Sequence, residues 1–278
     1  ACQDLQGDIT IGLTGATGAM PSLPFDIGSV HYQMGTSVRI CASANTYNPP
    51  TGELVLKRSF SDEYGYTSCL YKSEVTPLVL DGLYDNAFQG NTAITSVTLE
   101  DGIFSMFAAS FYGCTSLKSA KLGSITNPRR QLFFGCTSLE VVDLITITIG
   151  TYTQIFSGCT KLKAFIFRSA TMVSGEVNTN NFNIGSVTID GESKTVCRYK
   201  DDNNVYHQTK LYVPSDLVQS YKEDSFWGTY FDIQAIEGSI YDTQSTPVAL
   251  RSTLRASATM AVKKVRKNGV EMPIGADA

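Results

Sequence analysis

One pattern of apolar and polar positions occurs four times between residues 88 and 167. Each copy has a phenylalanine, a glycine two positions later, then asparagine or cysteine, and apolar residues three, six and eight positions after that. The copies are Phe88–Leu99, Phe111–Leu122, Phe133–Leu144 and Phe156–Phe167, and their glycines are 23, 22 and 23 residues apart. A period of roughly 20 to 50 residues predicts a solenoid, in which each copy forms one coil.

The spacing inside each copy indicates a strand with one buried face. Side chains alternate along a strand, so the last two apolar residues of a copy share a face. A single strand cannot bury that face alone, and the copies are therefore expected to stack with like residues in ladders. The phenylalanine would form a ladder on the opposite wall, and the glycine would allow a tight turn into the strand.

The cysteines show no pattern of a metal or redox site. Cys114, Cys136 and Cys159 fall at one position of the repeat, with neither zinc-site nor C-x-x-C spacing, so we interpret them as buried structural thiols. The odd count of 7 cysteines excludes a full disulfide framework and leaves room for one bridge, between Cys41 and Cys69.

The segment Phe-x-Gly-Cys-Thr-Ser-Leu, present at 111–117 and 133–139, resembles the BspA-type leucine-rich repeat of gut bacterial surface proteins and of phages that infect such bacteria. The resemblance covers roughly residues 77–237. It extends to a closing unit, whose parts are residues 162–170, 178–182, 210–222 and 226–230. The chain departs from the pattern at Asn91, which replaces cysteine, and at Phe165 and Phe167, which replace smaller aliphatic residues.

These features predict a mainly β protein made of four parts. Residues 1–76 are expected to form a β-sandwich-like domain from short strands at 8–13, 37–42 and 54–60, separated by Gly, Pro and Asn clusters. Residues 77–171 form a short leucine-rich-repeat solenoid of four repeats. Residues 172–245 form a C-terminal capping module, and residues 246–278 form a basic arm.

The capping module is expected to carry an insertion and a lid. Strands at 186–189 and 195–199 flank the hairpin signal Asp190-Gly191, in a loop expected to be longer than two residues. A short helix after Pro214 and the aromatic residues Phe226, Trp227, Tyr230 and Phe231 would cover the end of the solenoid. An aromatic cluster can also bind sugar, but its place beside the last repeat favours capping.

Charge separates the C-terminal arm from the rest of the chain. Residues 246–278 carry six basic residues against Glu271 and Asp277, a net charge of +4, so a chain of net charge -4 leaves -8 elsewhere. The segment 260–272 is predicted to be a hairpin turning at Asn268-Gly269, which is too small to be stable alone. We expect the arm to dock on a partner subunit through a basic set, namely Arg251, Arg255, Lys263, Lys264, Arg266 and Lys267.

No catalytic motif is present in the sequence. His31 and His207 are the available neutral-pH bases and fall in different predicted domains, and nucleophile-elbow, H-E-x-x-H and P-loop motifs are absent. The family resemblance implies interaction or adhesion without a fixed ligand, cofactor or catalytic residue. We therefore expect no enzyme, no metal and no cofactor, with a glycan-active enzyme as the alternative.

The ligand face is expected on the solvent side of the repeat strands. The residues that flank the middle apolar position would form two columns: Ser96, Ser119, Val141 and Ala164, and Thr98, Lys121, Asp143 and Ile166. The expected partners are other protein subunits in an oligomer or larger assembly, and a host surface glycan or protein. The basic arm lacks interleaved aromatics, so nucleic acid is not expected.

The expected location is extracellular, on a virion or on a bacterial cell. The sequence contains neither a transmembrane-length apolar run nor a secretory h-region. An Ala1-Cys2 start is compatible with removal of an initiator Met in a virion protein, and also with the end of a lipobox in a surface lipoprotein. We favour the virion component over the lipoprotein adhesin.

Overall fold

The computed structural model describes residues 9–10, 25–34, 40–59, 68–71, 74–77, 79–103, 105–106, 108–125, 128–149, 153–173, 177–243, 264–267 and 270–273. The chain divides into two compact units, residues 1–235 and 236–278.

Strands dominate both units. They are β1 (Ile9–Thr10), β2 (Phe25–Ile27), β3 (Val30–Met34), β4 (Ile40–Ala44), β5 (Gly52–Leu56), β6 (Ser68–Tyr71), β7 (Glu74–Pro77), β8 (Leu80–Leu83), β9 (Ile94–Leu99), β10 (Ser105–Met106), β11 (Ser119–Ile125), β12 (Val141–Ile147), β13 (Ala164–Phe167), β14 (Ile184–Ile189), β15 (Glu192–Lys200), β16 (Tyr206–Gln208), β17 (Lys210–Val213), β18 (Asp232–Ala235), β19 (Lys264–Lys267) and β20 (Val270–Pro273). The helices are α1 (Val218–Glu223) and α2 (Trp227–Tyr230), with 3-10 turns at Thr179–Asn181 and Ser215–Leu217.

The main wall of the first unit is a seven-stranded sheet in the order β5-β9-β11-β12-β13-β17-β18. Every neighbouring pair in it is parallel, and the register is continuous except for a shift between Gly52 and Glu53, where β5 pairs with β9. The middle apolar positions align as one column, formed by Leu54, Val97, Ala120, Val142, Phe165, Leu211 and Ile233. The mainly β fold and the parallel repeat sheet expected from the sequence are therefore present.

A second wall faces this sheet across the core. Its five strands are in the order β10-β8-β4-β3-β2, and β4, β8 and β10 are parallel neighbours. The hairpin β2–β3 adds antiparallel strands beyond β4, and Val30 and Tyr32 of β3 are buried in the core. The coils that carry β5, β9 and β11 thus contribute one strand to each sheet, and buried residues of both sheets belong to one core.

The solenoid begins one coil earlier than the sequence pattern indicated. The sequence pattern places β4 and β5 in a separate N-terminal sandwich, but they lie in the two solenoid walls. Leu54 and Leu56 are buried like the repeat leucines, and Gly52 has a φ of +69°, as the repeat glycines do. The coil lacks the Phe-x-Gly-Cys segment, and residues 57–79 separate it from the first repeat, which hid it from a search for that segment.

The repeat phenylalanines form one continuous stack. Ring centroids of Phe88, Phe111, Phe133 and Phe156 are 5.3, 5.3 and 5.7 Å apart, with rings within 13° of parallel. Phe182 extends the stack, at 6.0 Å and 20° from Phe156. Beside each ring, the repeat glycine takes a left-handed φ of +68 to +79°, which removes the strain a side chain would cause there.

The fourth repeat departs from the pattern because its neighbours are aromatic. The Phe165 ring lies 5.9 Å from Phe231 at 75°, and Phe167 lies 5.5 Å from Trp227 at 90°. Edge-to-face packing of this kind favours large rings over leucine or valine. The buried Tyr221 hydroxyl also accepts a hydrogen bond from the Val173 amide at 2.8 Å. Trp227 and Phe231 are 2% exposed, which supports packing rather than sugar binding for this part of the cluster.

The insertion is a three-stranded antiparallel sheet in the order β14-β15-β16. Its first turn is tighter than expected, because Ile189 pairs directly with Glu192 and leaves a two-residue loop. Asp190 and Gly191 have φ of +53° and +83°, the left-handed pair of a type I′ hairpin. The expectation of a longer loop at this position was wrong.

In the second unit, β19 and β20 are antiparallel partners, with Lys267 opposite Val270. The strands of the expected C-terminal hairpin are thus present, and residues 268–269 between them lie outside the described part of the chain.

Candidate interaction face

The register of the main sheet brings the eight predicted face residues into two columns. Ser96, Ser119, Val141 and Ala164 align across β9, β11, β12 and β13, and Thr98, Lys121, Asp143 and Ile166 align beside them. We call the side of the sheet that carries these columns the outer face. Lys121 is exposed, and the other members from Ser96 to Asp143 are partly exposed.

Two of the eight residues do not face solvent. Ala164 and Ile166 are 2% and 0% exposed, so their assignment to a solvent-facing ligand site is corrected. Ile166 lies in register between Asp143, which is ion-paired, and Tyr212, which has a larger side chain. Ala164 lies between Val141 and Lys210, whose side chains are both larger. A small or aliphatic side chain between such neighbours contributes little surface.

Asp143 belongs to an internal ion pair. The Arg168 guanidinium donates from Nε to Asp143 Oδ1 at 2.7 Å and from Nη2 to Oδ2 at 2.8 Å. A two-pronged arginine–carboxylate pair fixes both side chains and satisfies both oxygens. Asp143 is therefore mainly a structural group, and Lys121 is the exposed charge of the eight. The structure records no ion pair for Lys121 with any residue it describes.

The outer face is wider than the repeat motif predicted. The two columns continue into β5 through Glu53 and Val55, and into β17 and β18 through Lys210, Tyr212, Asp232 and Gln234. Val55 is 50% exposed, a large apolar fraction for a strand residue. The alternation Gly-Glu-Leu-Val-Leu at 52–56 carried the signal for the β5 positions.

Side-chain charges also line the entry to the strands. Lys118, Glu140 and Lys163 occupy one position of consecutive repeats, and Lys163 is paired with Glu140. Such an exposed pair contributes less than about 1 kcal/mol to stability. It places alternating charge beside the outer face.

The repeat cysteines donate hydrogen bonds from coil to coil. The Sγ atoms of Cys114, Cys136 and Cys159 each lie 3.1 Å from a phenylalanine carbonyl of the preceding coil, those of Phe88, Phe111 and Phe133. Asn91 replaces cysteine in the first repeat, and its side-chain amide likewise donates a hydrogen bond to the preceding coil, to the Pro50 carbonyl at 2.9 Å. Its Oδ1 also accepts from the amides of Ala93 and Ile94.

Burial makes these thiols chemically inert. Desolvation raises the pKa of Cys114 to about 12, and it raises the pKa of Cys136 and Cys159 further. Cys197, from the insertion, behaves alike, with a pKa raised to about 12 by burial. Because the thiolate is the nucleophile and the metal ligand, these four groups are structural.

The bridge considered between Cys41 and Cys69 is not formed. Cys41 is buried and is not part of a disulfide. Its strand β4 lies in the five-stranded sheet, whereas Cys69 belongs to β6 of a different, three-stranded sheet.

The two histidines each pair with a nearby carboxylate, in separate places. His31 Nδ1 lies 2.6 Å from Asp26 Oδ1, and His207 Nε2 lies 2.9 Å from Asp201 Oδ2. The Asp201 pKa is lowered, first by the Val205 amide and then by His207. Both pairs are local contacts within one hairpin or loop, and the structure does not bring them together.

The described residues contain neither a metal-binding cluster nor a membrane-spanning helix. Among them, no group of three or more His, Cys, Asp or Glu side chains is arranged to hold a metal ion. No helix in the same part of the chain is long and apolar enough to cross a membrane.

The arm residues are placed only in part. Lys264, Arg266 and Lys267 belong to β19, in register with Pro273, Glu271 and Val270. Arg251, Arg255 and Lys263 lie outside the described residues.

Comparison with known proteins identifies the repeat. The family model described as BspA type leucine rich repeat region matches residues 81–231 in 6 copies, where the sequence pattern alone gave four. The resemblance noted from the sequence is thereby confirmed.

A crystal structure of a leucine-rich repeat protein from Bacteroides ovatus ATCC 8483 is similar at 18% identity and a TM-score of 0.22, over 57% of this chain and 54% of that one. The chain thus spans about half the length of that protein. The comparison with curated proteins gave no match.

Because the thiols are buried, we expect the free energy of unfolding to fall above pH 9. In the unfolded chain a thiol ionises near 9.0, whereas folded Cys197 stays protonated until about 12. The stabilising effect is complete below pH 9 and is lost as the pH rises toward 12, by about 1.4 kcal/mol per pH unit per thiol.

Urea unfolding from pH 8 to 11 measures this slope. Cys197→Ala should make the dependence of the unfolding free energy on pH shallower, by an amount that corresponds to about one bound proton. An unchanged slope would show that the folded thiol ionises normally.

Proposed function

Since this chain belongs to the BspA-type leucine-rich repeat family, we propose that it is a non-enzymatic interaction or attachment protein that binds its ligand on the outer face. Leucine-rich repeat proteins generally mediate protein interaction or adhesion. The single observation that supports the site is the in-register alignment of six partly or fully exposed side chains on three consecutive strands.

The sheet gives this face the rigidity that binding needs. Its strands are held by the parallel ladder, and the buried side of each strand packs into one continuous core. The backbone of such strands loses little further freedom on binding, which lowers the entropic cost of association. The face is thus preorganised, and contacts are spread over repeated positions.

The chemistry of the face favours a ligand with an acidic group. Arg168 neutralises Asp143, so Lys121 supplies the net charge at the centre of the columns. Ser96, Thr98 and Ser119 surround it with hydroxyl groups that can donate or accept hydrogen bonds. Val55 and Ile145, 50% and 36% exposed, add apolar contact area on the same sheet.

We expect Ser119→Arg to block this face and Lys121→Glu to reverse its charge. Each should lower affinity at least tenfold, about 1.4 kcal/mol, for a ligand found by screening the full chain on arrays of glycans and matrix proteins. Thr115→Arg is the matched control, since it adds the same bulk and charge at the exposed turn of the same repeat.

Equal binding by all three variants would remove the outer face from the proposal. Thermal unfolding of each variant checks that the fold is retained, because surface substitutions usually change stability by less than about 0.5 kcal/mol. Release of sugars from a polysaccharide by the purified wild-type protein would overturn the non-enzymatic assignment.

Surface display is part of the proposal, on a phage virion in preference to a bacterial cell. Proteins with BspA-type repeats are typically surface-exposed. Intact-mass measurement on the native protein distinguishes the two contexts. We expect no lipid mass, whereas a diacylglyceryl group on Cys2 would establish the bacterial lipoprotein instead.

We also propose that residues 246–278 form an assembly arm. Their net charge of +4 against -8 in the rest of the chain suits encounter with an acidic subunit, which includes a second copy. The paired strands β19 and β20 supply a preformed hairpin, and a two-stranded hairpin needs a partner for stability. Arg251, Arg255, Lys263, Lys264, Arg266 and Lys267 are the charges assigned to this contact.

A chain that ends at residue 245 tests the arm. It should unfold at nearly the wild-type temperature and remain monomeric where the full chain assembles, as measured by sedimentation. Normal assembly of the shortened chain would refute the arm, and a large loss of thermal stability would make the segment part of the folded body.

A further inference from the structure

A cleft of about 540 Å³ lies beside the last strand of the main sheet. One side is formed by residues 228–229 and 231–233 at the start of β18, and the other by residues 194–196 of the insertion. Its volume falls within the range of roughly 300 to 1,000 Å³ seen in ligand sites. All of these residues lie in the first unit, and none of them belongs to the predicted ligand columns on β9 to β13, although Asp232 belongs to their continuation on β18.

The cleft reaches the start of β18, where Asp232 and Ile233 line it. Gln208, two residues before β17, lines it as well, so the cleft lies where the last two strands of the sheet begin. Among the described strands β18 pairs only with β17.

The backbone of β18 has hydrogen-bonding groups on the edge that faces away from β17. The Asp232 amide donates to the Thr209 carbonyl at 3.1 Å, toward β17. In a parallel ladder alternate residues bond to a given neighbour, so the amide and carbonyl of Ile233 point away from β17. An unpaired strand edge is a template for one more strand.

The charges around the cleft select an acidic occupant. Lys194 on β15 and Lys222 on α1 are exposed and line it, and Asp232 is the carboxylate among its lining residues. The Gln234 side-chain amide already donates to Asp232 Oδ1 at 2.6 Å, which weakens the repulsion between that carboxylate and an acidic ligand. The net charge of the side chains that line the cleft is therefore positive, whereas the whole chain has a net charge of -4.

We propose that this cleft binds an extended acidic peptide segment, which pairs with β18 as an eighth strand of the sheet. The four residues of β18 set the length of the pairing segment. Backbone hydrogen bonds to Ile233 hold it, and Lys194 and Lys222 bind its carboxylate side chains. Strand addition of this kind takes affinity from the main chain and specificity from the side chains.

A randomised eight-residue peptide library selected on the full chain tests the site. We expect enrichment of peptides with two or more acidic residues and alternating β-branched residues. The double variant Lys194→Glu, Lys222→Glu should bind the selected peptide at least tenfold more weakly, while Lys118→Glu, an exposed lysine of the second repeat, leaves binding unchanged. Far-ultraviolet circular dichroism checks the fold of each variant.

Backbone methylation separates strand pairing from charge attraction. N-methylation at one set of alternate positions of the peptide should abolish binding, and methylation at the intervening set should not. Equal tolerance at both sets would overturn the proposal, and so would selected peptides whose binding is insensitive to the two lysines. Ser119→Arg should leave peptide binding intact, so failure here and failure of the outer face are distinguishable.

Discussion

The in-register stacking of Phe88, Phe111, Phe133 and Phe156 is the constraint on which the rest of the molecule depends. Rings 5.3 to 5.7 Å apart and nearly parallel can only arise if successive coils superpose without a shift. That superposition also places the leucine ladders of the opposite wall in line. The regularity of the sheet and of its outer columns is therefore a consequence of packing inside the core.

Polar groups inside the core are satisfied by the same superposition. The Phe88, Phe111 and Phe133 carbonyls each accept from an amide of their own turn and also from a cysteine thiol of the next coil. The thiol therefore adds a second hydrogen bond that joins successive coils. In the first repeat the Asn91 amide makes such a bond to the Pro50 carbonyl, and its oxygen also caps the turn.

The two proposed binding surfaces follow from how a solenoid is built. The flat side of a parallel sheet presents repeated positions, of which Ser119 and Lys121 are central, and it can bind a ligand across several coils. The ends of the sheet present a strand edge, and at the start of β18 the insertion and the two helices line a positively charged cleft. The repeated strands thus produce the outer face, and the insertion that interrupts the repeats contributes one side of the cleft.

The sequence by itself determined the repeat, its buried positions and the two outer columns, because period and alternation are local properties. The first coil, which contains β4 and β5, could not be recognised from the sequence, since Gly52, Leu54 and Leu56 keep the strand pattern without the turn that identifies a repeat. The burial of Ala164 and Ile166, the pairing of Asp143 with Arg168 and the cleft beside β18 were decided only by the tertiary structure. Each depends on which segments meet across long stretches of chain, and alternation along one strand carries no information about its neighbours.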